Sequence, residues 1–321
     1  MKTLLALLFA IAAALSGAAA AQGYPAKPIL MVVPLQAGTA VDTVARVIAQ
    51  KMSESLHQPI VVENQPGAAG QIGTERIARA APDGYTIGFV NDSILTMLPN
   101  LNPKLPYDPL RDLAPVSRVA GNAFGIAVNP SFPAKTLGEL IAMAKAKPGT
   151  INYATGGSGS PQHMVMEMVK AAAGIDLTHV PYKGASQALT DVLGGQVPII
   201  AQGMGVLGTQ VKAGKLRVLA VTGPKRSPLF PDVPTAIEAG LPGFEFGTWF
   251  AVVAPAGTPR AVLERLNAET VKAASIPEVR DRLVEQGYDV EPSSPERLTE
   301  SIRDGLARMG KIVREANIKP E

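Results

Sequence analysis

Ile29-Leu30-Met31-Val32-Val33-Pro34-Leu35, then Gln36-Ala37-Gly38-Thr39-Ala40, then Val41 to Ser55: this stretch decides the fold class. The first run is short, continuous and apolar, the pattern of a strand covered on both faces. The second is a small-residue turn, and the third repeats apolar residues at helical spacing, with Asp42 near its start. Working outward, the same unit recurs. Strand-like runs are read at Pro59–Asn64, Tyr85–Val90, Phe124–Asn129, Ile151–Thr155, Leu177–Pro181, Val197–Gln202, Leu216–Thr222 and Thr248–Ala254. Helical patterns are read at Gln71–Ala81, Leu137–Lys147, Pro161–Ala173, Ser186–Leu193, Leu207–Ala213, Val233–Ala239, Arg260–Ala274, Pro277–Gln286 and Pro295–Glu315. Alternation of this kind predicts an α/β architecture with mainly parallel sheets. In the last helix Leu298, Ile302, Leu306, Met309 and Val313 form one apolar stripe, so it is expected to pack on a domain.

Composition narrows the function. The 321 residues contain no cysteine, which excludes disulfide scaffolds, thiol nucleophiles and Cys-ligated metals. With 30 basic against 27 acidic residues, both signs interspersed, there is no nucleic-acid footprint. The N-terminus reads as an address: Lys2, an apolar run from Leu4 to Leu15, a break at Ser16-Gly17, then small residues from Ala18 to Ala21. This is a signal peptide over residues 1–21, with cleavage placed after Ala21. Its apolar run is shorter than the roughly 20 residues that span a bilayer. Without a cysteine to lipidate, the product is expected free in the periplasm.

Catalytic patterns are weak. His57, His163 and His179 form no HExxH or Glu-x-x-His pattern, so no metal or cofactor is expected. Gly203, Gly205 and Gly208 make a literal G-x-G-x-x-G, but the following helix is short and the next strand ends Thr222-Gly223-Pro224 without an acid, so these glycines are read as points of close backbone approach. Gly156-Gly157-Ser158-Gly159-Ser160 misses the nucleophile-elbow pattern at its last position. What remains is a set of strand-to-helix loops rich in Gly, Ser, Thr and Asn. They are Leu35-Gln36-Ala37-Gly38-Thr39-Ala40, Asn91-Asp92-Ser93, Thr155-Gly156-Gly157-Ser158-Gly159-Ser160 and Gln202-Gly203-Met204-Gly205. In open parallel sheets such loops line the ligand crevice, and the helix N-termini behind them favour anions. Two such loops facing one another would hold a carboxylate without an arginine, and their repetition, with export and weak catalytic patterns, points to a binding protein.

Ordered segments along the whole chain past residue 22 carry a resemblance. They include Tyr24-Pro25-Ala26-Lys27-Pro28-Ile29, Val62-Glu63-Asn64-Gln65-Pro66-Gly67-Ala68-Ala69-Gly70, Ala81-Pro82-Asp83-Gly84-Tyr85-Thr86 and Leu105-Pro106-Tyr107-Asp108-Pro109. Further on are Gln162-His163, Val180-Pro181-Tyr182-Lys183-Gly184, Leu193-Gly194-Gly195-Gln196-Val197, Pro231-Asp232-Val233-Pro234-Thr235 and Ala254-Pro255-Ala256-Gly257-Thr258-Pro259. The chain resembles the Bug-type periplasmic solute receptors of tripartite tricarboxylate transporters.

The resemblance implies a two-lobed, Venus-flytrap, type II-like periplasmic binding protein with two crossover strands. Lobe one would comprise 22–119 plus 254–321, with the C-terminal helices packed on it, and lobe two 120–253 including the crossover segments. It further implies a small organic carboxylate as ligand (a di- or tricarboxylate or an aromatic carboxylate), membrane subunits of a secondary transporter as partner, a monomer, no nucleic acid and no enzyme activity. Leu35, Gln36, Ala37, Gly38, Thr39 and Ala40 would cradle a carboxylate from lobe one. Thr155, Gly156, Gly157, Ser158, Gly159 and Ser160 would do so from lobe two, with His163 nearby. Asn91, Ser93, Ala185, Gln202 and Gly203 complete the expected site, and Asp42 is expected to stabilise the first loop. The chain departs from the family at Leu35, where an aromatic is usual, at Thr39 in place of a second glycine, at Pro161, and at Gln202, where Asp is frequent. Losing that carboxylate favours a ligand without an amino group. The alternatives are a sensor receptor that passes its ligand to a signalling protein, and an exported hydrolase using Ser158 or His163.

Overall fold

The computed structural model describes residues 23–158 and 160–315. The signal-peptide reading over 1–21 and the site position Gly159 lie outside the described residues. The elements follow in the order β1 (Ile29–Val33), α1 (Ala40–Leu56), β2 (Ile60–Asn64), α2 (Gln71–Ala78), β3 (Thr86–Asn91), α3 (Leu98–Leu101), β4 (Leu113–Val128), α4 (Leu137–Ala146), β5 (Asn152–Thr155) and α5 (Pro161–Ala173). Then come β6 (Thr178–Pro181), α6 (Ala185–Leu193), β7 (Ile199–Gly203), α7 (Met204–Lys212), β8 (Arg217–Val221), β9 (Gly247–Pro255), α8 (Arg260–Ser275), α9 (Pro277–Glu285), β10 (Asp289–Val290) and α10 (Pro295–Glu315).

The α/β class holds, but the sheet is mixed rather than mainly parallel. Its order is β2-β1-β3-β9-β4-β7-β5-β6, with β8 and β10 also on β4. The βα units give parallel pairs, β1 with β2 and β3, and β5 with β6 and β7. The antiparallel pairs all involve the two long strands. β4 runs beside β9 from Leu113 to Ala123, then beside β7 from Phe124 to Val128. A strand that leaves one sheet and enters another is a crossover between lobes, and β4 is one; β9 stays in the first sheet, between β3 and β4, and the chain reaches it from the second lobe through Phe246, whose N–H donates to the Thr222 carbonyl. The reading of this region as a strand from Phe124 caught only its last third. Pro115, Ser117 and Arg118 hid the rest, and the register shifts between Pro115 and Ser117 and again between Arg118 and Ala120.

Each lobe has its own core. In one, Met31, Ile48, Met52, Ile87 and Phe89 are completely buried beside α1 and α8, and Val32, Ile77, Ile94 and Leu95 fill the opposite face of the sheet. In the other, Tyr153, Met164, Met166, Ile199 and Phe246 pack on one face, and Val192, Ile200 and Leu207 on the other. Each fully buried aliphatic side chain contributes about 1.5–3 kcal/mol, so both lobes hold ordinary two-sided cores. Helix starts are capped as their sequences suggest. Thr39 accepts from the Asp42 N–H, Thr136 from Glu139, and Ser294 from Arg297.

Three elements differ from expectation. Residues 233–239 form one capped turn, not a helix. Thr235 and Glu238 satisfy each other's N–H groups, and the chain then breaks at Gly240. A π-turn over Ser93–Met97 runs into α3, where no helix was read. The stripe of α10 does not pack on one domain: Leu298 and Ile302 join the first lobe's core, while Met309 joins the second's. Of the G-x-G-x-x-G glycines, Gly203 and Gly205 mark close approach, while a Cβ on Gly208 would meet the Leu229 side chain at an ordinary contact distance. A Cβ on Gly205 would land on the Gln286 carbonyl oxygen, and one on Gly287 would come within 2.7 Å of the Gly205 nitrogen. Backbone from both lobes meets there.

Candidate functional site

A cleft of about 700 Å³ opens between the lobes. From the first lobe it is lined by Leu35, Ala68, Ala69, Gln71, Asn91, Ser93, Met97, Leu98, Leu101 and Asn102, and from the second by Gly156, Ser158, Ser160 and Pro161. Among these lining residues none carries a charge. The first lobe offers both aliphatic groups (Leu35, Met97, Leu98, Leu101) and amides (Gln71, Asn91, Asn102), and the second adds the Ser158 and Ser160 hydroxyls, the balance typical of a small-molecule site.

Of the residues read from sequence, the structure brings Leu35, Asn91, Ser93, Gly156, Ser158 and Ser160 to the cleft. Gly156 can have no side chain: a Cβ there would come 2.8 Å from the Ala185 nitrogen, so Ala185 stands behind the loop rather than on its face. Ser160 caps α5 by accepting from the His163 N–H at 3.3 Å. Pro161 occupies the first turn of that helix, where its missing N–H costs nothing.

The segment 36–40 is not among the lining residues; its backbone is organised by Asp42. The Asp42 carboxylate accepts from the Gly38 N–H at 2.9 Å, from Asn64 at 2.9 Å and from Arg46. Burial opposes its charge, but hydrogen bonds from Arg46, Gly38 and Asn64 outweigh this and hold the carboxyl below its usual range. Thr39 spends its hydroxyl locally, donating to the Gln36 carbonyl and capping α1. Gln36, Ala37 and Ala40 make no wall of the cleft.

Thr155, Gly157 and His163 lie beneath the second-lobe loop. Thr155 Oγ1 is 2.6 Å from His179 Nε2 and accepts from the Gly157 N–H. The His163 and His179 rings stack in parallel at 4.0 Å, and Tyr153 stacks on His179 at 5.1 Å. This ring stack supports the loop from below. Gln202 is buried and its carbonyl accepts from Gln162 and from the Gly203 N–H. Gly203 faces Asn122, which fills the place of a side chain. Gln202 and Gly203 close β7 directly against α7, so no loop remains there to reach a ligand.

Sequence reasoning missed Ala68, Ala69 and Gln71, a second group of Met97, Leu98, Leu101 and Asn102, and Pro161. Ala68 and Ala69 sit in a run of four residues with positive φ, Gly67 at 138°, Ala68 at 46°, Ala69 at 55° and Gly70 at 97°, and Gln71 opens the helix that follows. Left-handed backbone at alanine costs on the order of 1 kcal/mol, and such strain gathers where a ligand is met. The signal was the segment Pro66-Gly67-Ala68-Ala69-Gly70, which carried the family resemblance but was not read as a site. The second group hangs on the π-turn, a device frequent at functional sites that has no simple sequence signature.

Behind Asn91 and Ser93 lies Asp92, 3 % exposed. Burial pushes its carboxyl up to about 7, against the pull of the Trp249 N–H, Arg308, the Ser93 N–H and Arg118. The folded chain thus keeps a proton that the unfolded chain releases near pH 4. Its contribution to stability is greatest below that and falls as pH rises towards about 7.

Comparison with known proteins agrees with this geometry. Residues 44–318 match the model of the tripartite tricarboxylate transporter family receptor. The chain is 37% identical over 322 residues to Protein BugT of Bordetella pertussis, covering 99% of both chains. Among solved structures, Rpa4515 of R. palustris with adipate superposes with a TM-score of 0.84 at 32% identity, covering 93% of this chain and 100% of that one. MatC from Rhodopseudomonas palustris with bound malate gives a TM-score of 0.79 at 33% identity, covering 90% of this chain and 100% of that one.

Proposed function

Because the chain belongs to the tripartite tricarboxylate transporter receptor family, we propose that it is exported to the periplasm, captures a small organic carboxylate in the cleft between its lobes, and delivers it to the membrane subunits of a secondary transporter. In this reading residues 1–21 are the signal peptide, lobe one is 22–119 plus 254–321, lobe two is 120–253, and the protein is a monomer that performs no chemistry. No helix among the described residues is long and apolar enough to cross a membrane.

The observation that carries the reading is the cleft itself. Both lobes line it, no charged side chain enters it, and the capped start of α5 faces it through Ser160 and Pro161. An anion there is held by N–H groups and hydroxyls rather than by an arginine, which suits a carboxylate of low charge with an apolar body. Leu98, Leu101 and Met97 supply the apolar wall. Adipate and malate in the two structural neighbours support the ligand class. The mechanism is hinge closure about β4 and β9. A ligand touching both lobes favours the closed form by its extra affinity for that form.

With no carboxylate in the cleft wall to receive an ammonium group, plain dicarboxylates fit better than amino acids. Calorimetry is expected to show succinate and glutarate binding more tightly than aspartate and glutamate. Tighter binding of either amino acid would overturn the preference.

A further inference from the structure

Asp92 is a buried acid that the cleft does not use directly. Its neighbours Asn91 and Ser93 both line the cleft, while Asp92 does not. Consecutive Cα atoms are about 3.8 Å apart, which places its carboxyl within roughly 10 Å of any ligand touching either neighbour. Its Oδ1 is buried with no hydrogen-bond partner. The charged groups acting on it are Arg118 on β4 and Arg308 on α10, and the backbone N–H groups of Trp249 on β9 and of Ser93 point at it. Arg118 is shared with Glu291 at 3.4 Å, and both arginines line a polar hinge cavity of about 320 Å³ together with Asp304. Asp92 therefore joins the cleft wall to β4 and β9, and among the described residues no ion pair fixes its charge.

We infer that Asp92 sets which ligand charge the cleft accepts: capture of an anion draws a proton from solvent onto its carboxyl, and ionised Asp92 weakens capture. This rests on the proposal that the cleft binds a carboxylate. An ionised Asp92 repels an anion in the cleft, whereas the protonated form does not. Binding and protonation therefore promote each other by the same factor. Since the carboxyl is held near neutrality in this structure, both forms are populated at ordinary pH. At this separation and an intermediate dielectric the repulsion corresponds to about a tenfold change in affinity.

The test is calorimetry from pH 6 to 8.5 with adipate, malate and benzoate as probes, in buffers of different ionisation heat. The unaltered protein is expected to bind about tenfold more tightly at pH 6 than at pH 8.5, with uptake of roughly half a proton between. Asp92→Asn should bind at every pH as the unaltered protein does at pH 6, with that uptake lost. The difference between the two proteins is the quantity that counts, because it cancels proton uptake by every group other than Asp92. Arg308 is exposed, and Arg308→Gln should leave folding intact while moving the uptake maximum to higher pH. Identical pH profiles in the unaltered protein and Asp92→Asn would overturn the inference. If Asp92→Asn does not fold, an uptake maximum unmoved by Arg308→Gln does the same. No heat with any probe at any pH would overturn the cleft proposal, and the inference with it; binding without Asp92-linked uptake overturns the inference alone.

Discussion

Ser158→Asp is expected to weaken carboxylate binding about a hundredfold while barely moving the melting temperature. Ser158 is exposed on the second-lobe loop and lines the cleft, so the substitution disturbs no core. The new charge meets the bound anion at contact range, with no charged side chain in the cleft wall to offset it. Two like charges about 4–5 Å apart at an effective dielectric of 20–40 repel by roughly 2–4 kcal/mol, which brackets a hundredfold loss. Ser158→Ala is the control. Removing one neutral hydrogen bond costs about 0.5–1.5 kcal/mol, so binding should fall by tenfold or less. Calorimetric titration of both variants checks this. A Ser158→Asp protein that binds carboxylates as well as the unaltered one would place the ligand elsewhere.

The largest stability effect is expected at Tyr153. Its side chain is completely buried at the centre of the second lobe. The hydroxyl donates to Glu167 at 2.6 Å, and burial, together with this hydrogen bond, pushes the phenol well above its usual range. The ring also carries the histidine stack that holds Thr155 and the loop above it. Tyr153→Ala leaves a cavity that neighbouring Met164 and Val165 cannot close, and should cost about 3–5 kcal/mol. Tyr153→Phe keeps the packing and loses one hydrogen bond to a charged acceptor. Lys170 still reaches Glu167 at 2.8 Å, so a loss of about 1–3 kcal/mol is expected. Urea unfolding should show these differences as shifts of midpoint at unchanged slope. A loss under 1 kcal/mol in Tyr153→Ala would show that the stack does not support the lobe.

What the sequence disclosed follows a physical division. Continuous apolar strands such as Ile29–Val33 and Ile199–Gly203, and helices with marked starts such as Pro161–Ala173, were legible because burial imposes a period and capping imposes residue types. The loops that follow them were legible with them, which gave Leu35, Asn91, Ser93, Gly156, Ser158 and Ser160. The rest depends on backbone states that residue type does not announce. Alanine does not prefer positive φ, so Ala68 and Ala69 announce no cleft wall by their type, and only the glycines on either side of them hint at the turn. Pro99 and two asparagines gave Leu98–Leu101 no helical signal, yet the π-turn delivers those residues to the cleft. His163 and Gln202 were read as ligand-facing from position alone. Each instead lies below the surface, His163 stacked on His179 of β6 and Gln202 hydrogen-bonded to Gln162 of α5. The crossover length of β4 was hidden because its polar residues face the hinge, where both a sheet and a cavity are satisfied.

The central claim is that the cleft between the lobes captures a small carboxylate. It is tested most directly by the melting temperature of the protein across mono-, di- and tricarboxylates, each paired with its uncharged amide. At least one carboxylate is expected to raise the melting temperature by several degrees in a concentration-dependent manner while its amide does not. A panel in which no carboxylate stabilises the protein, or in which amides do so equally, would contradict it.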